Sequence, residues 1–126
     1  MKSVLLVGCG GFVGAVLRYW VAGAANQIGK SLSIPIGTLT VNIVGCALIG
    51  LLSGLAERSG GFSDATRMIL VVGLLGGFTT YSAFGMEAVT LLRERMVGMA
   101  LLHIGLHLFL GLGAVYAAYV LSAPRN

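Results

Sequence analysis

Three groups of polar side chains interrupt otherwise apolar stretches of this sequence, and each has residue types and spacing suited to handling an ion. The first is Gly37-Thr38-Leu39-Thr40-Val41-Asn42. Thr38 and Asn42 are four apart, so on a helix they share one face, a hydroxyl one turn from an amide. The second is Gly76-Gly77-Phe78-Thr79-Thr80-Tyr81-Ser82-Ala83-Phe84-Gly85. Adjacent glycines followed by Thr-Thr-Tyr-Ser are the poorest helix formers in any apolar stretch here, and they predict a break in the helix. A break exposes backbone carbonyls and N–H groups, which a bilayer tolerates only where protein, water or an ion satisfies them. The third group is His103 and His107, four apart and hence on one helical face. Two imidazoles without a carboxylate or thiolate beside them do not close a metal site, so they suit interhelical hydrogen bonding or the lining of a pore.

Two charged residues lie inside apolar stretches, and each admits two readings. Arg18 either snorkels to the nearer surface beside Tyr19 and Trp20 or supplies positive potential for an anion in a vestibule. Glu87 is either functional or a structural partner for a cation on a neighbouring helix. Asn42 likewise is either glue between helices or a functional donor. Thr40, Ser53, Thr66 and Thr90 are expected to bond back to their own backbone.

The elements that must hold these groups follow from composition. Of 126 residues, 57% are hydrophobic and 10% charged, 20 are Gly, and mean hydropathy is +0.97. Soluble domains carry about 25% charged residues, so a chain this apolar belongs in a lipid bilayer. Four runs are long enough to span one: residues 4–25, 34–56, 68–92 and 97–121. The first is too long for a signal peptide and is followed by further spans. The connections at 27–33, 57–67 and 93–96 are short, with a Ser59-Gly60-Gly61 turn signal in the second. The expected architecture is all-α, a single four-helix transmembrane domain over residues 1–126 with the third helix broken near its middle. Cys9 and Cys46 both lie in apolar runs and indicate no disulfide framework. The net charge of +4 comes from basic residues scattered between the spans, a pattern of topology control and not of nucleic-acid binding.

Four spans place Lys2, Arg58, Arg67 and Arg125 on one side and Lys30, Arg93 and Arg95 on the other. Four against three is almost no asymmetry, and counting Arg18 with the second side removes it. The chain is therefore expected to insert both ways up, and two copies in opposite orientations make an antiparallel dimer, the geometry of inverted repeats. Four helices are too few to enclose a wide pore alone, which also predicts an oligomer. Gly10 and Gly14, Gly50 and Gly54, and Gly73 and Gly77 are small residues four apart that let helices approach closely.

Enzyme motifs are not met. Gly8-Cys9-Gly10-Gly11-Phe12-Val13-Gly14 sets its last Gly one residue late for a dinucleotide fingerprint, and no acidic residue follows at the required distance. There is no Gly-x-Ser-x-Gly, and only four acidic residues occur in all. Catalysis is not expected.

Over essentially its whole length the sequence resembles the small four-helix fluoride channels called Fluc, also called CrcB. The resemblance is carried by residues 37–42, by residues 76–84 and by Gly14-Ala15-Val16-Leu17-Arg18-Tyr19-Trp20, in order and on the right spans. It implies a fluoride-selective passive channel that sheds fluoride from a prokaryotic cell across its inner membrane. It further implies an antiparallel homodimer with two pores and a structural sodium ion at the interface. On matching positions, Asn42 donates its amide to the anion, Tyr81 and Phe84 form an aromatic box, and Arg18 lies at the vestibule. Thr38, Thr80, Ser82 and His107 extend the candidate pore lining, and main-chain carbonyls of Gly76 and Thr79 hold the sodium. Ring edges carry positive partial charge and can face an anion. Two departures from the family pattern are Tyr81, where phenylalanine is usual, and His103, His107 and Gly111 in place of a serine-bearing track. Titratable imidazoles beside a pore predict pH-sensitive conduction.

The competing readings are a small multidrug or cation exporter of the four-helix, dual-topology type and a non-conducting membrane subunit. Proton-coupled cation export needs a buried carboxylate as a shared proton and substrate site, whereas the first span has Arg18 and no acid and Glu87 lies near an end of its span.

Overall fold

A computed structural model describes residues 1–31 and 34–124. Ser33, the expected end of the first connection, and Arg125, one of the residues in the charge count, lie outside the described residues. Among the described residues all regular structure is helical, and four helices are long and apolar enough to cross a membrane. Span one is Lys2–Ile28, span two Ile36–Arg58, span three Asp64–Arg93 and span four Val97–Ser122. The chain is a multi-pass membrane protein.

Span three is composite. Asp64–Thr66 is capped by Ser63, whose hydroxyl accepts the Thr66 N–H at 3.2 Å. Arg67–Leu75 is then wound more widely, as a π-helix, and Gly76–Phe78 returns to α winding. Thr79 (φ −82°, ψ 158°) and Thr80 (φ −151°, ψ 113°) have extended backbone. Tyr81–Arg93 is α-helical, and the Thr80 hydroxyl caps it by accepting the Ala83 N–H at 3.3 Å.

The turns close by local chemistry. After span two, Gly60 takes φ +78° and the Gly61 N–H reaches back to the Ala56 carbonyl at 2.7 Å. That six-to-one closure ends a helix where a positive φ makes glycine the fitting residue. Asn26, near the end of span one, accepts the Gly37 N–H through Oδ1 at 2.8 Å and so fastens span one to the start of span two.

Span two packs most extensively on span four, and span one on the first half of span three. The glycine pairs mark these seams. A Cβ on Gly10 or Gly14 would strike the backbone of Ile69 and Leu74, and one on Gly77 the backbone of Gly11. Gly50 and Gly54 lie equally close to the backbones of Val115 and Tyr119. Phe12, Phe109, Leu112 and Leu121 point outward, as side chains facing lipid or a partner must.

Candidate functional site

The second half of span three, from Thr79 onward, meets spans two and four around a cavity of about 680 Å³. Its polar and aromatic lining is Asn42, Thr79, Thr80, Tyr81, Phe84 and His107, with the backbone of Gly76 beside them. Cys46, Ile49, Val71, Leu75, Ile104 and Leu108 supply apolar wall.

Asn42 holds the extended segment. Its Oδ1 accepts the Thr80 N–H at 2.9 Å and its Nδ2 donates to the Thr80 carbonyl at 3.0 Å. The amide orientation is therefore fixed, because a backbone N–H must meet oxygen and a carbonyl must meet NH₂. Nδ2 retains one further hydrogen beside the cavity. This pairing has a second effect. In a continuous helix the Thr80 N–H would bond the Gly76 carbonyl and the Ala83 N–H the Thr79 carbonyl. Here the first goes to Asn42 and the second to the Thr80 hydroxyl. Both carbonyls lose their helical donors.

Four rings run in sequence from this segment into the bundle. Tyr81 and Phe84 have centroids 5.5 Å apart, Phe84 and His107 4.4 Å, and His107 and His103 4.5 Å. Phe84 also stacks on His103 at 5.5 Å. The spacing of span three puts Tyr81 and Phe84 on one side of the helix at i and i+3, and the i, i+4 spacing of span four does the same for the histidines. Tyr81 is 83% exposed on the chain alone, so its ring is a rim and not a wall.

Behind the rings lies a polar cluster. Thr38 donates its hydroxyl to Glu87 Oε1 at 2.5 Å, and Glu87 Oε2 lies 3.4 Å from His103 Nε2. His103 is completely buried, and His107 Nδ1 lies 3.0 Å from the His103 carbonyl oxygen. Thr38 is thus buried beside the cluster and outside the cavity wall. Ser82 is exposed, 3.3 Å from the Thr80 hydroxyl, and also does not line the cavity. Arg18 is half-buried on span one, which contributes nothing to the lining.

Of the residues singled out from sequence, Asn42, Gly76, Thr79, Thr80, Tyr81, Phe84 and His107 come together, and Arg18, Thr38 and Ser82 stand apart from the cavity. Cys46 lines it without having been singled out. It lies four residues after Asn42, and that helical spacing is the signal that would have found it. Glu87, a candidate partner for a cation on a neighbouring helix, has His103 of span four 3.4 Å from it; the Thr38 hydroxyl on its other oxygen was not foreseen.

Residues 5–119 match the family model described as CrcB-like protein, Camphor Resistance (CrcB). A protein of Methylobacillus flagellatus, named fluoride-specific ion channel FluC, is 41% identical over 121 residues, covering 96% of this chain and 94% of its own. Fluoride-specific ion channel FluC 1 of Methanosarcina acetivorans is 42% identical over 116 residues, covering 92% and 87%. A protein of Flavobacterium psychrophilum with the same FluC name is 37% identical over 122 residues, covering 97% and 98%. With one family model spanning nearly the whole chain and relatives this similar along nearly their full lengths, the chain belongs to the CrcB family of small membrane proteins.

Proposed function

We propose that this chain is a fluoride-selective passive channel that releases fluoride from a prokaryotic cell across its inner membrane. It acts as an antiparallel homodimer with two pores, each chain being a single four-helix domain over residues 1–126. The observation that carries this reading is the double bond of Asn42 to Thr80 beside the Tyr81, Phe84 and His107 rings. Fluoride gives up its hydration shell only to strong donors, and the second Nδ2 hydrogen of Asn42 is such a donor next to ring edges of positive partial charge. Thr80, and Ser82 within reach of its hydroxyl, continue the donor path. Thr38 contributes through Glu87, and Arg18 at the vestibule raises the local anion concentration. The FluC names of the relatives support the choice of anion.

In this reading the break in span three is functional, and its Gly76 and Thr79 carbonyls suit a sodium ion. They are hard oxygen donors without their helical partners, and no carboxylate is required. These carbonyls would hold a sodium ion, whose positive charge would offset their dipoles and tie two copies together.

The test is fluoride efflux from liposomes holding the purified protein, read with a fluoride electrode after a potassium ionophore is added. Chloride-loaded vesicles run alongside. Fast fluoride release without chloride release supports the reading. No release from vesicles shown to contain folded dimer overturns it in favour of a non-conducting subunit.

A further inference from the structure

His107 faces the cavity with its tautomer already decided. Its Nδ1 lies 3.0 Å from the His103 carbonyl oxygen, which can only accept, so Nδ1 carries the hydrogen. In the neutral ring Nε2 is then a bare lone pair. It is buried and makes no hydrogen bond of normal geometry among the described residues, although the Thr38 backbone lies close to the ring. A lone pair repels an anion brought against it. The same ring with a proton on Nε2 presents an N–H donor and a positive charge.

The neighbouring groups point the same way. Among the described residues, Glu87 Oε2 and both ring nitrogens of the fully buried His103 also lack hydrogen-bond partners. Glu87 Oε2 and His103 Nε2 are 3.4 Å apart, close enough to share a proton with little movement. Thr38 holds the other carboxylate oxygen in place. Buried polar atoms left unpaired in such number are costly unless something further satisfies them. Thr38 from span two and Glu87 from span three lie against the histidines, and Asn42, Cys46, Thr79, Thr80 and Tyr81 line the same cavity as His107. Among the described residues that line the cavity there is no Lys or Arg to supply fixed positive charge.

We propose that fluoride entry into this cluster is coupled to the uptake of one proton, carried on His107 Nε2 and backed by the Glu87–His103 pair. The proposal rests on the channel reading and specifies how that pore is regulated. The step makes no covalent bond: a proton from water adds to the Nε2 lone pair, and the resulting imidazolium donates to the anion. At high pH the anion meets a lone pair and a carboxylate. At low pH it meets a donor and a cation. Flux therefore rises as pH falls through the range in which the imidazole takes up its proton.

Fluoride efflux is measured from pH 5.5 to pH 8, with protein-free vesicles subtracted to remove permeation of neutral hydrogen fluoride. The expected result is a rise of about tenfold or more toward pH 5.5, from the changing imidazolium fraction. His107→Gln, whose amide is a donor at every pH, flattens that profile. A second measurement needs no variant: sodium fluoride added to the purified protein in weakly buffered detergent at pH 7.5 makes the solution more alkaline, by about one proton per bound fluoride. Flux that is unchanged across the pH range, or fluoride binding without proton uptake, overturns the proposal and leaves the channel reading standing. No flux at any pH from folded protein overturns both.

Discussion

The side chain of Asn42 pairs with the backbone of Thr80 as a neighbouring strand would, accepting from its N–H at 2.9 Å and donating to its carbonyl at 3.0 Å. One amide thus satisfies both polar groups of a residue that has left the helix. Asn42→Ala strips both partners, and each unpaired buried group costs about 1–3 kcal/mol. Asn42→Asp keeps the bond from the Thr80 N–H, loses the donor and adds negative charge beside the proposed anion path. The expected outcome is loss of fluoride efflux in both variants, by at least about tenfold on those energies. The yield of monodisperse protein falls more for Ala than for Asp. Efflux assays paired with size-exclusion profiles check the ordering, and an Asp variant with undiminished efflux removes Asn42 from the path.

Phe84 is the central ring of the four, in contact with Tyr81, His103 and His107. Phe84→Leu keeps an apolar side chain of similar reach and removes the ring edge and its quadrupole. Fluoride efflux is expected to fall about two- to tenfold, the equivalent of the roughly 0.5–1.5 kcal/mol carried by aromatic contacts beyond their area. Protein yield stays close to that of the parent. Equal efflux from both proteins would mean that the ring only packs.

The glycine seams make a stability prediction. A Cβ at Gly14 would collide with the Leu74 carbonyl and the Phe78 backbone, whereas one at Gly8 meets nothing within 4 Å. Gly14→Ala should therefore destabilise the fold by about 1–3 kcal/mol, the cost of overpacking. Gly8→Ala should be neutral or stabilising by up to about 1 kcal/mol through helix propensity. Thermal unfolding in detergent, followed by loss of monodisperse protein, separates the two.

Much of this molecule is legible in its sequence because in a bilayer polar residues are the exceptions. The four apolar runs correspond to four helices, and the span ends differ by a few residues because helices continue past the hydrocarbon until a cap stops them. Span one runs on through Asn26 to Ile28, where Gly29 caps it. Asn42 and Thr80 are conspicuous for the same reason. What the sequence does not carry is which helical faces meet. Thr38, Glu87 and His103 stand on three different spans, and nothing in their spacing joins them. The π winding of Arg67–Leu75 is equally hidden, since Arg-Met-Ile-Leu-Val-Val-Gly-Leu-Leu reads as an ordinary apolar helix. The small residues on both sides of that seam were visible, and they sit where the backbones come closest.

The carbonyls of Gly76 and Thr79 make the sodium proposal open to a test that does not depend on fluoride. Their helical donors are occupied by Asn42 and by the Thr80 hydroxyl, so a hard cation is a natural replacement partner. If sodium ties two copies together there, exchanging it for N-methylglucamine removes a ligand that binds only the folded dimer. Stability then falls by mass action, with about 2.7 kcal/mol at stake when sodium stands at a hundred times its dissociation constant. Thermal unfolding of the purified protein is expected to shift downward in N-methylglucamine and to recover with added sodium in a saturable way. Potassium should recover less, because a site built from a few close carbonyls favours the smaller ion. Asn42→Ala should blunt the sodium response, since without the amide the Thr80 N–H is free to return to the Gly76 carbonyl. An unfolding temperature that ignores the choice of cation, with dimer present throughout, would leave those carbonyls without a sodium to hold.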